Sequence, residues 1–221
     1  MALVDKPGGP SSFAVVAQIR RLTGARTGHA GTLDPFATGL LLVLSGRATK
    51  TAPQLVGLGK RYRTEIDLTA RTSTGDPEGE IEERHAPPSS DELEARLERL
   101  RGEVELPIPA ASAVKIDGVR AYRLARRGEH VEMPLRRSTV HALDVIAYTG
   151  ENVTLDLLVS SGTYVRSIAA ALDGHCTTLR RTEVGPFSVY EAVLPEMFTA
   201  DRLISEADVL ERVETARTAG V

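Results

Sequence analysis

Hydrophobic and polar residues recur along the chain with two periodicities, one typical of strands and one typical of helices. Residues 40–44 form a continuous apolar run that is too short for a helix, which favours a strand buried on both faces. Residues 61–68, 139–148 and 153–159 alternate between polar and apolar side chains, which predicts strands with one face in water. Shorter strands are predicted at 3–5, 80–82, 112–117 and 187–192.

Helical spacing marks a second set of segments. Ser11 or Ser12 can cap a first helix, which ends before Gly24 and whose apolar stripe comprises Phe13, Val16, Ile19 and Leu22. Ser89 and Glu92 form a capping-box pattern ahead of an acidic helix that is expected only to cover the surface. Further helices are predicted at 47–56, 119–127 and 203–215, and after Ser161-Gly162 in a segment that carries Tyr164 and Arg166.

Strands and helices are interleaved without the regular strand–helix–strand order of a parallel sheet, and several strands show the one-sided pattern of antiparallel sheets. The pattern therefore predicts an α+β fold in which a curved, mixed and mostly antiparallel sheet is flanked by helices. We expect one main domain over residues 1–195 and a short acidic helical tail over residues 196–221.

Composition narrows the class of protein. The 221 residues are 42% hydrophobic and 26% charged, as in an ordinary soluble globular protein. The single Cys176 excludes an internal disulfide and a Cys-x-x-Cys zinc site, so no metal is expected and the neighbouring His175 is interpreted as structural. The sequence shows neither a leader pattern nor an apolar run of membrane-spanning length, which predicts a cytoplasmic protein without membrane contact.

The charges are segregated along the chain. Residues 1–71 contain ten Lys or Arg against four Asp or Glu, and residues 106–137 contain seven against three. Residues 72–105 between them contain four against eleven. The two basic segments could form one face for the phosphates of a nucleic acid, or they could be ordinary solvated surface.

The most unusual chemistry lies in the glycine-containing stretch 27–39. It has neither the lysine of a P-loop nor a G-x-G-x-x-G pattern, which argues against a nucleotide-phosphate cradle. It presents instead one imidazole, His29, and one carboxylate, Asp34, directly before Pro35. Because Asp-Pro commonly initiates turns, the local sequence alone is also compatible with a turn-capping role for Asp34.

Eight motifs together carry a resemblance to a known family. They are Asp5-Lys6-Pro7-Gly8-Gly9-Pro10-Ser11-Ser12, Gly28-His29-Ala30-Gly31-Thr32-Leu33-Asp34-Pro35-Phe36-Ala37-Thr38-Gly39, Ala48-Thr49-Lys50, Lys60-Arg61-Tyr62, Ser112-Ala113-Val114-Lys115, Ala121-Tyr122-Arg123-Leu124-Ala125-Arg126, Ser161-Gly162-Thr163-Tyr164-Val165-Arg166 and Leu179-Arg180-Arg181. In this order, over residues 1–190, they resemble the bacterial tRNA pseudouridine-55 synthases of the TruB family.

The resemblance implies the pseudouridine synthase fold and a monomeric enzyme without a cofactor. Such an enzyme converts the uridine at position 55, in the T-arm loop of its partner tRNA, to pseudouridine. By the same resemblance Asp34 is the catalytic carboxylate, Tyr62 stacks on the target base and Arg166 pairs with Asp34. Tyr164 and Leu179 would line the base pocket, and His29 would fill the space that the extruded base leaves. The resemblance further implies RNA phosphate contacts by cations of the two basic segments, namely Lys50, Lys60, Arg61, Lys115, Arg123, Arg126 and Arg127.

These residue types suit the reaction. Moving the glycosidic bond from N1 to C5 of uracil needs an ionised carboxylate, acting as a nucleophile or as a base on the sugar, and a partner such as Arg166 favours that form of Asp34. A proton must then leave C5, a step for which Tyr62 or Asp34 could be the general base. Because the target base lies inside folded RNA, stacking on Tyr62 and insertion of His29 would offset the cost of flipping it out.

Two features differ from the usual family pattern. The family's segment between Arg166 and Leu179 is usually longer and richer in glycine, whereas residues 171–175 cross directly here. Family members usually continue into a C-terminal RNA-binding module of the PUA or a related type, and residues 191–221, with three Arg against seven Asp or Glu, are too few and too acidic to form one. The alternatives are a pseudouridine synthase for another RNA, including one that works in a guide-RNA particle, and a non-catalytic RNA-binding or tRNA-folding protein. The intact Asp34, Tyr62 and Arg166 argue against the last.

Overall fold

The computed structural model of the chain describes residues 1–112, 114–116, 118–121 and 133–218. Within them the strands are β1 (Ala2–Lys6), β2 (Thr27–Ala30), β3 (Thr38–Ser45), β4 (Lys60–Asp67), β5 (Ala70–Thr72), β6 (Ile81–Arg84), β7 (Gly102–Pro107), β8 (Lys115–Ile116), β9 (Val119–Arg120), β10 (Leu135–Tyr148), β11 (Asn152–Val159), β12 (His175–Val184) and β13 (Phe187–Ser188). The α-helices are α1 (Ser12–Thr23), α2 (Ala52–Val56), α3 (Ser90–Glu98), α4 (Val165–Ala171) and α5 (Glu206–Thr218).

The chain forms two compact units. The first comprises Met1–Arg63 and Leu179–Val221, and the second comprises Thr64–Thr178. Both boundaries fall within strands, since β4 and β12 each contribute residues to both units. The domain boundary expected near residue 195 remains a prediction.

Strand β3 is the centre of the first unit because both of its faces are buried. Leu40, Leu42 and Leu44 lie in one apolar cluster, which also contains Val209 and Val213 of α5. Side chains alternate across a strand, so the intervening Leu41 and Val43 join a second cluster with Val15, Val16 and Ile19 of α1. This arrangement explains the uninterrupted apolar run, and it makes α5 part of the core of the first unit.

Helix α1 has the expected caps but not the expected buried stripe. The Ser11 side chain accepts from the Ala14 N–H, and Gly24 closes the helix in the left-handed region at φ 66°. Phe13 and Leu22 are exposed, however, with relative accessibilities of 74% and 58%. Residues three apart drift by about 60° around a helix, so a stripe with strict spacing of three soon leaves the buried face. The buried positions are instead Ser12, Val15, Val16 and Ile19.

The sheet of the first unit is mixed. Strand β3 pairs antiparallel with β1, from Ala2↔Val43 to Lys6↔Gly39, and antiparallel with β2. It pairs in parallel with β12 at Arg180↔Thr38 and Arg181↔Gly39. The parallel pairing brings the Leu179-Arg180-Arg181 motif to the start of β3, directly after the loop that carries Asp34.

The sheet of the second unit is antiparallel among the pairings described. Strand β10 lies between β11 and β7, and β5–β6 and β8–β9 form two small hairpins. Helix α3 has the predicted capping box between Ser89 and Glu92. The mixed, mostly antiparallel sheets with helices confirm the α+β prediction.

Several predicted elements differ in extent from those observed. The helix expected at 47–56 begins as a 3-10 turn at Gly46–Thr51 and becomes α-helical only in α2. The strand expected at 187–192 is short and continues as a 3-10 turn at Val189–Glu191. The helix expected from Val119 begins instead with β9, and most of its length lies outside the described residues. In the described part of the chain, no helix has the length and apolarity needed to cross a membrane.

Candidate active site

The loop 31–37, which carries Asp34, is held on one side by the ammonium group of Lys6. This side chain is fully buried and donates to the carbonyl oxygens of Pro7 at 2.8 Å, Pro35 at 3.0 Å and Ala37 at 2.7 Å. Charge-assisted hydrogen bonds are stronger than neutral ones, especially away from water. Three carbonyl dipoles that converge on one buried cation therefore fix the backbone that follows Asp34 and join it to the segment after β1.

Ser12 holds the residue before the carboxylate. Its buried hydroxyl donates to the Leu33 carbonyl at 2.8 Å and accepts from the Leu33 N–H at 2.9 Å. The Gly9 N–H adds a bond to the Pro35 carbonyl at 2.9 Å. The Asp34 backbone itself closes a turn, because its carbonyl accepts from the Ala37 N–H at 3.2 Å.

Arg181 binds the start of the loop and the strand β3 that follows it. Its guanidinium, at 1% exposure, donates to the carbonyls of Leu40 at 2.8 Å and Gly31 at 3.0 Å. Gly39 has a φ of 101°, and a Cβ atom there would collide with the Arg181 backbone, so only glycine fits. The half-buried Asp34 thus sits on a backbone that two buried cations and a buried serine hold in place.

His29 lies on β2, opposite Val43 of β3, five residues before Asp34. Its Nδ1 atom is buried and has no hydrogen-bond partner among the residues that the structure describes. Burial lowers the pKa of His29, and the nearby positive charge of Arg181 lowers it further. Both effects favour the neutral form of the imidazole.

The first unit also contains three other predicted site residues. Tyr62 on β4 and Leu179 on β12 are both largely buried, at 8% and 7% exposure. Leu179 lies beside the end of the Asp34 loop, because its carbonyl accepts from the Thr38 hydroxyl at 3.5 Å. Lys50 is exposed, as a phosphate contact requires.

The expectation that Lys60 contacts RNA phosphates is wrong. Lys60 is 5% exposed, and its ammonium donates to the carbonyls of Val56, at 2.7 Å, and Leu58. Residues two apart on a strand share a face, so Lys60 lies on the buried face of β4 with Tyr62. Burial, assisted by the charge of Arg181, lowers the pKa of Lys60 to about 8.

In the second unit, Arg166 on α4 is buried and bound on several sides. Its side chain is 3% exposed, and its two terminal nitrogens donate to the carbonyls of Thr74 at 2.7 Å and Ala111 at 3.0 Å. Its Nη1 atom lies 3.3 Å from Oδ2 of Asp76, whose side chain is 6% exposed. The guanidinium is therefore fixed by a buried ion pair. The pairing of Arg166 with Asp34 remains a prediction.

Asp76, the buried ion-pair partner of Arg166, was not among the residues predicted from the sequence. Its second oxygen, Oδ1, accepts from the Thr74 hydroxyl and from the Glu78 N–H, so both oxygens are used. The acidic, turn-rich composition of the surrounding segment suggested solvated surface. The available signal was the sequence Asp76-Pro77, which repeats the Asp34-Pro35 pattern. Lys6, Ser12 and Arg181 lie within the motifs that carried the resemblance, but their buried bonds to the loop were not foreseen.

The remaining predicted residues are placed as follows. Tyr164 is half-buried and is the N-cap residue of α4. Lys115 lies on β8. Arg123, Arg126 and Arg127 lie outside the described residues. The described parts of the chain hold no cluster of three or more His, Cys, Asp or Glu arranged for a metal ion. His175 is structural as expected, since it is buried with Nδ1 2.9 Å from the Ala70 carbonyl.

Comparison with known proteins identifies the family to which this arrangement belongs. The sequence profile of the TruB family pseudouridylate synthase, N-terminal domain, matches residues 20–165. The chain belongs to the TruB family. It is 43% identical to the tRNA pseudouridine synthase B of Thermobifida fusca, over 99% of this chain and 79% of that protein. As a TruB-family member, it is a pseudouridine synthase, as the motifs implied.

Two solved structures are similar to this chain over almost its whole length. A chain from a Cbf5-Nop10-Gar1 complex is 28% identical with a TM-score of 0.66, over 97% of this chain. A chain from an H/ACA RNP bound to a substrate RNA containing 2'-deoxyuridine is 25% identical with a TM-score of 0.60, over 100% of this chain. The present chain spans 58% and 55% of the lengths of these two chains.

Proposed function

We propose that this chain isomerises a uridine in the T-arm loop of tRNA, at position 55, to pseudouridine, with Asp34 as the catalytic carboxylate. The observation that carries the proposal is the rigid support of the Asp34 loop by Lys6, Ser12 and Arg181. A carboxylate that acts on a sugar or a base must be held in its reactive position before the substrate arrives, and this backbone is preorganised in that way.

The isomerisation is balanced without a second reactant. The bond between C1′ and N1 breaks, the uracil turns, and a bond between C1′ and C5 forms. The proton on C5 leaves, and N1 gains one. Asp34 acts in its ionised form, either as a nucleophile or by removing a sugar proton, and Arg166 supplies positive charge to the site. Tyr62 stacks on the base, while Tyr164 and Leu179 line its pocket and one of the site's bases, Tyr62 or Asp34, takes the C5 proton.

His29 suits the role of filling the space of the flipped base. A neutral ring can enter a base stack at a lower desolvation cost than a charged one, and the lowered pKa of His29 favours the neutral form. Flipping then costs less, because stacking lost in the RNA is partly replaced.

The first unit also presents a basic surface for the RNA backbone. Arg20, Arg21, Arg26, Arg47 and Lys50 are all exposed. The Gly46 N–H donates to the Arg26 carbonyl at 2.8 Å, which places Arg26 beside the turn that carries Arg47 and Lys50. Asp34 is the only acidic residue between positions 6 and 64 of the sequence, so this segment itself carries a net positive charge. The surface supports binding to the phosphates of a tRNA arm, with Lys115 and Arg123 as further predicted contacts.

A pseudouridine synthase for another RNA is the second candidate, because both solved relatives described above come from multi-component complexes, one of them holding a substrate RNA. The identity to the relative named for tRNA is higher, 43% against 28% and 25%, which favours tRNA.

A tritium-release assay separates the candidates. We expect tRNA transcripts labelled at C5 of uridine to release tritium when the T-loop uridine is present and to release none when it is replaced by cytidine. Release from both transcripts would contradict the site assignment. Release from neither, with binding retained, would favour a tRNA-binding protein without catalysis.

A further inference from the structure

The C-terminal end of α4, the helix that carries Arg166, has an unusual residue. The Asp173 N–H donates to the Ala170 carbonyl at 3.0 Å and the Gly174 N–H donates to the Ala169 carbonyl at 2.9 Å, the two bonds of a Schellman motif. The first residue beyond the cap in this motif is left-handed and is usually glycine. Here it is Asp173 at φ 61°, the one non-glycine residue with positive φ in the described part of the chain. An aspartate strains the backbone where glycine would not, so its side chain is expected to make an interaction that offsets the strain.

The Asp173 side chain is held from outside the helix, chiefly by Arg96 of α3. Arg96 Nη1 donates to Oδ2 of Asp173 at 2.9 Å and to the carbonyl of Leu172, the cap residue of α4, also at 2.9 Å. Arg71 lies 3.6 Å from the other carboxylate oxygen, and His85 Nε2 lies 2.8 Å from the Asp173 carbonyl. One arginine thus grips both the last turn of α4 and the residue that follows it.

The segment after Asp173 is tied to the turn that lies against Arg166. A Cβ atom on Gly174 would collide with the Asp67 backbone, so the two backbones are in close contact there. The Cys176 N–H then donates to the Gly75 carbonyl at 3.0 Å. A Cβ atom on Gly75 would lie 3.4 Å from Cβ of Arg166, so this turn is packed against Arg166 itself.

We propose that Arg96, acting through Asp173, is a positioning residue for Arg166. Only residues 172–174 separate the end of α4 from the start of β12, so a displacement of this short connection is transmitted to α4. Arg96 fixes that end. The proposal rests on the proposed function, in which Arg166 is part of the site, and it gives α3 a role beyond the surface cover that its sequence suggested.

The exposure of the Arg96–Asp173 pair makes this role separable from a purely structural one. The two side chains are 26% and 48% exposed, and ion pairs this close to water contribute little to global stability. Catalysis is more sensitive, because a small misplacement of a catalytic group can slow a reaction by up to about a hundredfold. Loss of the Arg96–Asp173 pair should therefore slow pseudouridine formation strongly while changing the melting temperature little.

The test compares single-turnover pseudouridine formation, with tRNA transcript and saturating protein, in Arg96→Ala and Asp173→Gly. We expect both rates to fall roughly tenfold while the Kd for tRNA is unchanged. The Tm of Asp173→Gly should equal or exceed that of the parent, because glycine suits the left-handed backbone. Arg96→Lys should recover most of the rate. Arg99→Ala, which removes an exposed arginine one position beyond the same helix, is the matched control and should match the parent.

A double-mutant cycle that combines Arg96→Ala with Arg166→Lys tests whether the Arg96–Asp173 pair acts through Arg166. If it does, Arg96→Ala should have little further effect once Arg166 is replaced. If the losses of rate from Arg96→Ala and Arg166→Lys are additive, or if Asp173→Gly keeps the parental rate, the positioning role of Arg96 is contradicted. If Arg166→Lys is slow while Arg96→Ala keeps the parental rate, the positioning role of Arg96 is contradicted and the role of Arg166 is not. If Arg166→Lys itself keeps the parental rate, the proposed role of Arg166 is contradicted.

Discussion

The buried ion pair between Arg166 and Asp76 makes a quantitative prediction for Asp76→Asn. The substitution keeps the volume of the side chain and an acceptor for the Thr74 hydroxyl and the Glu78 N–H. It removes the negative charge 3.3 Å from Nη1 of Arg166 and sets an amide donor against a guanidinium donor. Asp76→Asn is therefore a selective test of the charge.

Removing one partner of a buried pair costs about 3–5 kcal/mol, since the other charge stays buried without compensation. Arg166 keeps its bonds to the Thr74 and Ala111 carbonyls, so we expect the lower end, about 3 kcal/mol. If that loss is felt in the transition state, the rate falls roughly a hundredfold.

The assay for this prediction is single-turnover pseudouridine formation at saturating protein, with urea unfolding and tRNA filter binding measured on the same samples. Glu78→Gln is the matched control, because it neutralises an exposed carboxylate two residues away. We expect Asp76→Asn to lose rate and stability while Glu78→Gln keeps both. A rate for Asp76→Asn within twofold of the parent would refute the reasoning that Asp76 holds Arg166 for catalysis.

Three further predictions follow from the first unit. Ser12→Ala leaves the buried Leu33 N–H and carbonyl without their side-chain partner, so urea unfolding should show a loss of about 2 kcal/mol. The affinity for tRNA should fall steeply with salt, and Lys50→Ala should reduce the slope of log K against log salt by about one in filter binding. Lys60 has a folded pKa of about 8, below its usual 10.5, so the unfolded chain binds more protons between these values and the stability of the parent should rise over that interval. Thermal melts should show this rise relative to Lys60→Met, and equal pH slopes in the two proteins would contradict it.

Local patterns predicted the strands and helices well where the hydrophobic residues followed a single periodicity. The apolar run 40–44 gave the doubly buried β3, and the serine and glycine caps gave the ends of α1. The pattern failed for Phe13 and Leu22, because the choice of buried face depends on what α1 packs against, which periodicity alone does not contain. The same limit applies to Lys60, whose charge suggested the surface although its strand position faces inward.

The candidate site was predictable as a set of residue types but not as a set of contacts. The motifs named Asp34, Tyr62 and Arg166, while the bonds that hold them come from residues far away in sequence. Arg181 reaches back to Gly31, and Arg166 reaches back to Asp76. A buried cation satisfied by backbone carbonyls leaves no local signature, so the bonds of Lys6 were not predicted. The ion pair of Asp76 depends on Arg166, which lies far along the chain.

The most direct test of the account is the activity of Asp34→Asn at saturating tRNA, measured by tritium release. The Asp34 turn is closed by its backbone carbonyl, which asparagine retains, so folding and tRNA binding should survive. The charge that a nucleophile or a base requires is lost, and activity should fall by many orders of magnitude. If Asp34 only shaped the turn, asparagine would replace it well, because the two residues favour turns and caps almost equally. Substantial tritium release by Asp34→Asn would contradict the assignment of Asp34 as the catalytic residue.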